Sequence, residues 1–183
     1  MKYNIPTRDE VNDDVKAIFD NLREKVGQVP NIYAFIGNSA NTLQNYLGFS
    51  QNQANGRFDA KEREAVFLAV SELNGCEYCQ SAHTALAKMN GFSEEETLQL
   101  RTGDHTDEKY RVLTRLAADI QRTQGHPDEE LLREFTGLGY DEEALVDLVS
   151  LVINVTFTNY IHNIARFEID FPKAKSLKEP AIA

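Results

Sequence analysis

A chain of 183 residues, 42% of them hydrophobic, is long enough for one full core and reads as a single domain. Its net charge of −10 argues against nucleic acid and anionic membranes as partners, since both repel an acidic surface. Two cysteines make no secreted disulfide framework, MKYNIPTRDE has no apolar leader core and no run approaches a membrane span, so a cytoplasmic protein is expected.

The pattern is helical throughout. Gly and Pro punctuate it, and no segment alternates with period two, so the expected fold class is all-α, with about seven or eight helices. The first helix is predicted over 8–26, behind a Thr7/Glu10 capping box, with Val11, Val15, Ile18, Phe19 and Leu22 as its apolar stripe. Gly27 ends it, Pro30 opens a short helix through Phe35, and Ser39 caps a third through Leu43 and Leu47. Tyr33, Phe35, Tyr46 and Phe49 are candidates for a pocket wall, although aromatic residues more often fill a core or a subunit interface.

Asn55-Gly56 turns the chain into its central stretch, 59–91. Asp59 and Glu62 form a capping box for one helix, Asn74-Gly75 breaks it, and a second helix begins near Cys76 and stops at Asn90-Gly91. Ser93 with Glu96, Thr106, Pro127 with Asp128, and Asp141 start four further helices, the last running to about Phe167. That last helix is apolar nearly all round between Leu145 and Val155, which predicts burial on all sides, part of it by a second subunit. The chain thus divides into N-terminal helices (1–58), a central pair (59–91), C-terminal helices (92–170) and a tail (171–183), the tail a candidate arm to a neighbouring subunit.

Sliding the sequence by 79 residues lays Glu64 on Glu143, Val70 on Val149 and His83 on His162, while Cys76 and Cys79 meet Val155 and Thr158. This weak internal repeat predicts two helical hairpins about a pseudo-twofold axis. Asn154, Asn159, His162 and Asn163 would then face the thiols, or serve as satisfied core polar groups. His105 and His126, in loops, receive no role.

The chemistry concentrates in the central pair. Cys76 and Cys79 form Cys-x-x-Cys at a helix start, and His83 lies one turn beyond Cys79 on the same face. Glu64, on the preceding helix, can swing over that face. A helix N-terminus or a neighbouring imidazole stabilises a thiolate, and a second thiol one turn away can close a disulfide on an oxidised first sulfur. A thioredoxin-type motif needs a preceding strand, haem attachment needs His where Gln80 stands, and a structural zinc site wants a second ligand pair. Two inert buried thiols remain the plain alternative. For Glu64 the alternative is an ion pair with Lys61 or Arg63, or a solvated place early in the helix.

The set Glu64, Cys76, Cys79 and His83, Glu-x11-Cys-x-x-Cys-x3-His, resembles the signature of the AhpD-like alkylhydroperoxidases of the carboxymuconolactone decarboxylase superfamily. The stretches VPNIYAFIGNSANTLQNYLGF and NYIHNIARFEIDFP resemble its peroxidase-related subgroup, so the likeness spans most of the chain. It implies one AhpD-like helical domain, a homo-oligomer built on dimers (dimer or hexamer), and thiol-dependent reduction of a hydroperoxide without metal, flavin or haem. It also implies that Cys79 attacks, Cys76 resolves, His83 acts as base and Glu64 completes the relay. A dithiol donor, such as a lipoyl domain or a thioredoxin-like protein, would reduce the disulfide. The family histidine just before the second cysteine is replaced by Tyr78, which puts any relay through it in question. A decarboxylase or lactone-processing enzyme using His83 or His162 as base, and a non-enzymatic redox-sensing oligomer, are the alternatives.

Overall fold

Local signals start and stop most of the helices. A computed structural model describes residues 3–177, and within them all regular structure is helical: nine α-helices and two short 3-10 turns. The helices are α1 (Asp13–Val26), α2 (Asn31–Ile36), α3 (Ala40–Asn52), α4 (Ala60–Leu73), α5 (Glu77–Met89), α6 (Glu94–Thr102), α7 (Glu108–Arg122), α8 (Glu129–Gly137) and α9 (Glu142–Ala165). The Asp59/Glu62 and Ser93/Glu96 capping boxes start α4 and α6, and Asp141 caps α9 by accepting from the Ala144 N–H.

The predicted first helix is split. The Thr7/Glu10 box closes only a 3-10 turn, Val11 is extended, and the Asn12 side chain caps α1 by taking the Val15 N–H. At α7 the cap is Asp107 rather than Thr106, its carboxylate accepting from the Lys109 N–H.

α4 is the central element, packed against α5, α6, α7 and α9. Ala65, Val66, Leu68, Ala69 and Val70 are all buried, so it faces the core on nearly every side. Val66 and Val70 join Leu113, Leu116, Leu148, Leu151 and Phe135 in one cluster, while Ala65 and Leu68 pack with Leu100 and Phe92 in another. A third cluster joins α1 to α3 to the start of α5 through Val15, Phe19, Ile32, Leu43, Tyr78 and both cysteines.

Two expectations are corrected here. α9 passes unbroken through Ile153 and Asn154, the positions the 79-residue shift lays on the Asn74-Gly75 turn, so the repeat builds no second hairpin. By length and composition α9 could also cross a membrane, contrary to the sequence estimate, but half of its most apolar window is buried in this fold.

Within the single chain its burial is one-sided. Val146 (69% exposed), Ile153 (57%) and Ile164 (65%), with Val149 and Tyr160, form an uncovered apolar stripe on one face. The described part of the tail folds back on its own chain: the Ala174 N–H donates to Ser81 Oγ, and Arg101 donates to the Lys175 carbonyl at 2.6 Å. Residues 178–183 of the predicted tail lie outside the described residues.

Candidate active site

The turn between α4 and α5 sets the site. Asn74 ends α4 and Gly75 takes φ +63°, a left-handed conformation that side chains with a Cβ disfavour. The chain then enters α5 with Cys76 as its N-cap, the Sγ accepting the Cys79 N–H at 3.3 Å. A sulfur at this position sits at the positive end of a helix.

Glu64 and His83 meet as the spacing predicts. Glu64 Oε2 lies 2.8 Å from His83 Nδ1, both side chains being largely buried, and the imidazole leans on the Phe67 ring. A carboxylate can only accept, so Nδ1 carries the proton and Nε2 is left to face other partners. The alternative pairing is not formed, since Arg63 donates to the Phe58 carbonyl and Lys61 stacks over Phe92.

Both thiols are buried and reduced. Cys76 is pulled down to about 5, first by a hydrogen bond from the Cys79 side chain, against burial, and then by His162 and the Cys79 N–H. Cys79 is pushed well up by burial and by the neighbouring Cys76 sulfur. The pair is thus biased toward a resting anion on Cys76, with the proton on Cys79. His83 is held by Glu64, and among the described residues it makes no hydrogen bond to Cys79, whose long contact is to Thr158 Oγ1 at 3.9 Å.

Cys79 borders a cleft of about 480 Å³ whose wall also includes Glu64, His83, Arg63, Phe67, Tyr33, Tyr46, Thr158 and Phe171. Of the four aromatic residues proposed for a pocket wall, only Tyr33 and Tyr46 line this one. Phe35 packs on Phe167 and Tyr3, and Phe49 is half exposed over a separate shallow depression beside Ile153. Burial raises the pKa of both tyrosine hydroxyls, so they remain neutral donors in the cleft.

Tyr78 packs in the core and also borders the cleft. It is fully buried with its ring against His162, Phe167 and Phe171, and its hydroxyl accepts the Ile32 N–H at 3.3 Å. Burial, and then a hydrogen bond to Asp170, hold it neutral.

α9 brings its polar face to the thiols. Asn159 bridges Asn74 and Ser71, Asn163 donates to the Asn74 carbonyl, and His162 Nδ1 lies 3.8 Å from Cys76 Sγ. Asn154 lies farther along, donating to Gln53 at 2.7 Å on the cleft wall. Thr158, which the shifted alignment lays on Cys79, is a site residue that the sequence motifs do not single out. Its one-turn spacing from His162 was the available signal. His105 is a buried packing residue, its Nδ1 accepting the Asp107 N–H and its ring edge-on to Phe92 and Tyr110.

The model of the carboxymuconolactone decarboxylase family matches residues 40–118, a span that holds Glu64, Cys76, Cys79 and His83. The uncharacterized protein YdfG of Bacillus subtilis (strain 168) is 30% identical over 107 residues, 54% of this chain and 69% of YdfG. Annexin A5 of Cynops pyrrhogaster is 26% identical over 104 residues, and the chain spans only 31% of that protein's length.

Among solved structures, an uncharacterized peroxidase-related protein from Silicibacter sp. TM1040 superposes with a TM-score of 0.77 at 21% identity, over 91% of this chain and 90% of its own. An AhpD-core, peroxidase-related protein from Ralstonia eutropha JMP134 gives 0.78 at 18%, over 89% and 88%. A cysteine-to-alanine variant of the debrominase Bmp8, in complex with 2,3,4-tribromopyrrole, gives 0.78 at 16%, over 93% of each chain. At these identities the structures establish a shared AhpD-like helical fold. The chain belongs to the carboxymuconolactone decarboxylase family.

Proposed function

We propose that the protein is a thiol-dependent hydroperoxide reductase in which Cys79 attacks peroxide and Cys76 resolves. The observation that carries this reading is the position of Cys79. It is the sulfur on the wall of the cleft, beside the Glu64–His83 pair, with a second thiol at the helix start one turn before it.

In the resting pair the proton sits on Cys79 and the charge on Cys76. Transfer of that proton to Cys76 makes Cys79 the nucleophile. Its sulfur attacks the outer peroxide oxygen, the O–O bond breaks, and the departing alkoxide takes a proton by way of His83, whose Nδ1 is fixed on Glu64. Cys76 then attacks the Cys79 sulfenic sulfur. The S–S bond forms, the S–O bond breaks, and the hydroxide leaves as water with the Cys76 proton. The two thiols supply both electrons, and a dithiol donor restores them.

A cytoplasmic setting, where such donors keep thiols reduced, suits this cycle. The uncovered stripe on α9 suits assembly into a homo-oligomer built on dimers. The test is turnover of hydrogen peroxide and alkyl hydroperoxides with several dithiol donors, a lipoyl domain included. Turnover lost in Cys79→Ser supports the reading, and no oxidation of either thiol by any hydroperoxide refutes it.

The cleft itself favours a second reading. Its volume and aromatic wall suit a ring-sized substrate better than a small peroxide. The same thiols would perform reductive dehalogenation, the activity for which Bmp8 is named. Cys79 would take the halogen as a sulfenyl halide, the ring carbon would take a proton, and Cys76 would displace halide to leave the disulfide. Halide release from a brominated pyrrole, in the same assay without peroxide, separates the two readings.

A further inference from the structure

The Glu64–His83 pair serves the cleft face of the thiol pair and leaves the other face to a second imidazole. His162, on α9, is buried, with Nε2 3.1 Å from the Phe167 carbonyl oxygen and Nδ1 3.8 Å from Cys76 Sγ. A carbonyl cannot donate, so Nε2 must carry a hydrogen. Nδ1 is therefore the nitrogen that gains and loses a proton, and it is the one turned to sulfur. His83 has the opposite arrangement, its Nδ1 committed to Glu64 and its Nε2, among the described residues, without a hydrogen-bond partner.

The two histidines also belong to different openings. His83 lies on the wall of the Cys79 cleft. His162 lies on that of a separate groove with Gly75, Glu77 and Arg166, and the two walls share no residue.

We propose that His162 is the acid–base residue of Cys76: it holds the resolving sulfur as a thiolate and stabilises it again as the leaving group when the disulfide is reopened. This rests on the cycling disulfide of the proposed function but not on which substrate oxidises it. In reopening, one thiolate of a dithiol donor attacks Cys79 Sγ from the cleft. The Cys76–Cys79 bond breaks, and Cys76 leaves as a thiolate held by the Cys79 N–H and by protonated His162 Nδ1.

The donor's second sulfur, as a thiolate, then attacks its own bonded sulfur. A donor disulfide forms and Cys79 leaves, taking the proton that this second thiol gave up. Attack on Cys79 is the favoured direction, since the sulfur of lower pKa leaves faster and Cys79 is the one on the cleft wall. The titration of His162 fits: burial opposes its charge, but the Cys76 sulfur and the Phe167 carbonyl outweigh it and raise the pKa. The other titratable or charged groups around it are Glu77 and Arg166 of the same groove and Tyr78, whose ring lies against it.

The test uses His162→Gln in the full chain. Ultraviolet thiolate absorbance should show the Cys76 titration moved upward by about one unit or more, and reduction of the preformed disulfide by dithiothreitol should slow about 10- to 100-fold. Sulfenic acid formation at Cys79, measured in the Cys76→Ser background, should be unchanged by His162→Gln. If His162→Gln does not fold, nitrogen NMR of the wild-type imidazole replaces it. The expected result is the Nε2–H form, with a titration that changes in Cys76→Ser. An unmoved thiolate titration and reduction rate, or an Nδ1–H form insensitive to Cys76, overturns the proposal. A purely structural His162 would lower the melting temperature and leave both unmoved.

Discussion

Replacing Glu64 with glutamine keeps the size of the side chain and an acceptor for His83 Nδ1, but removes the charge. In the native site that acceptor is a buried carboxylate 2.8 Å from the ring nitrogen. Hydrogen bonds to charged groups contribute about 1.5–3 kcal/mol, and neutral ones about 0.5–1.5. The difference, roughly 1–2 kcal/mol, is the hold on His83 that the substitution releases, and at about 1.4 kcal/mol per decade it corresponds to about 5- to 30-fold in rate. Glu64→Ala removes the acceptor altogether, frees the ring to turn away from the cleft, and should cost about 100-fold or more, within the range of a lost general acid–base group. The assay is single-turnover oxidation of Cys79 by peroxide in stopped flow, across pH, with thermal melting alongside. Glu64→Gln should melt near the native temperature, because a neutral hydrogen bond survives. A native rate and pH profile in both variants would refute the reasoning and leave the Glu64–His83 pair a packing feature.

Three further expectations follow from the same geometry. Gly75→Ala places a Cβ in open space but at φ +63°, so it should destabilise by about 1–2 kcal/mol through backbone strain alone, read as a fall in melting temperature. The Cys76 thiolate, depressed to about 5, should be fully formed at neutral pH and lost as pH falls through about 5, seen as vanishing thiolate absorbance; an onset near the ordinary thiol range would contradict the assignment. Ile153→Lys, on the exposed stripe of α9, should convert an oligomer to a monomer in light scattering without loss of helicity, and a monomeric wild-type protein at micromolar concentration would remove that assembly mode.

Much of the site was legible because it is local. The turn signal Asn74-Gly75, the Asp59/Glu62 box and the one-turn spacing of Cys79 and His83 place all four signature residues on two consecutive helices, three of them at α5. Only the swing of Glu64 onto His83 required a tertiary contact. The charge on the thiol pair is not local in this way. His83 follows Cys79 by one turn, but Cys76 is lowered first by the Cys79 side chain and then by His162, 86 residues away, a contact no spacing rule contains.

The apolar residues that surround α9 predict burial on all sides, part of it by a second subunit. Periodicity gives no sign of which apolar face a single chain leaves open, and Val146, Ile153 and Ile164 are on that face. The tail carries little apolar pattern, and its return to Ser81 and Arg101 depends on backbone groups that any sequence provides.

Cys79 meeting peroxide and Cys76 resolving are read out by mass spectrometry of single-cysteine variants after one equivalent of hydroperoxide and a sulfenic-acid trap. The expected result is the trap adduct on Cys79 in Cys76→Ser, and a Cys76–Cys79 disulfide in the wild-type chain. A sulfenic acid on Cys76 in Cys79→Ser, with Cys79 untouched in Cys76→Ser, would contradict it.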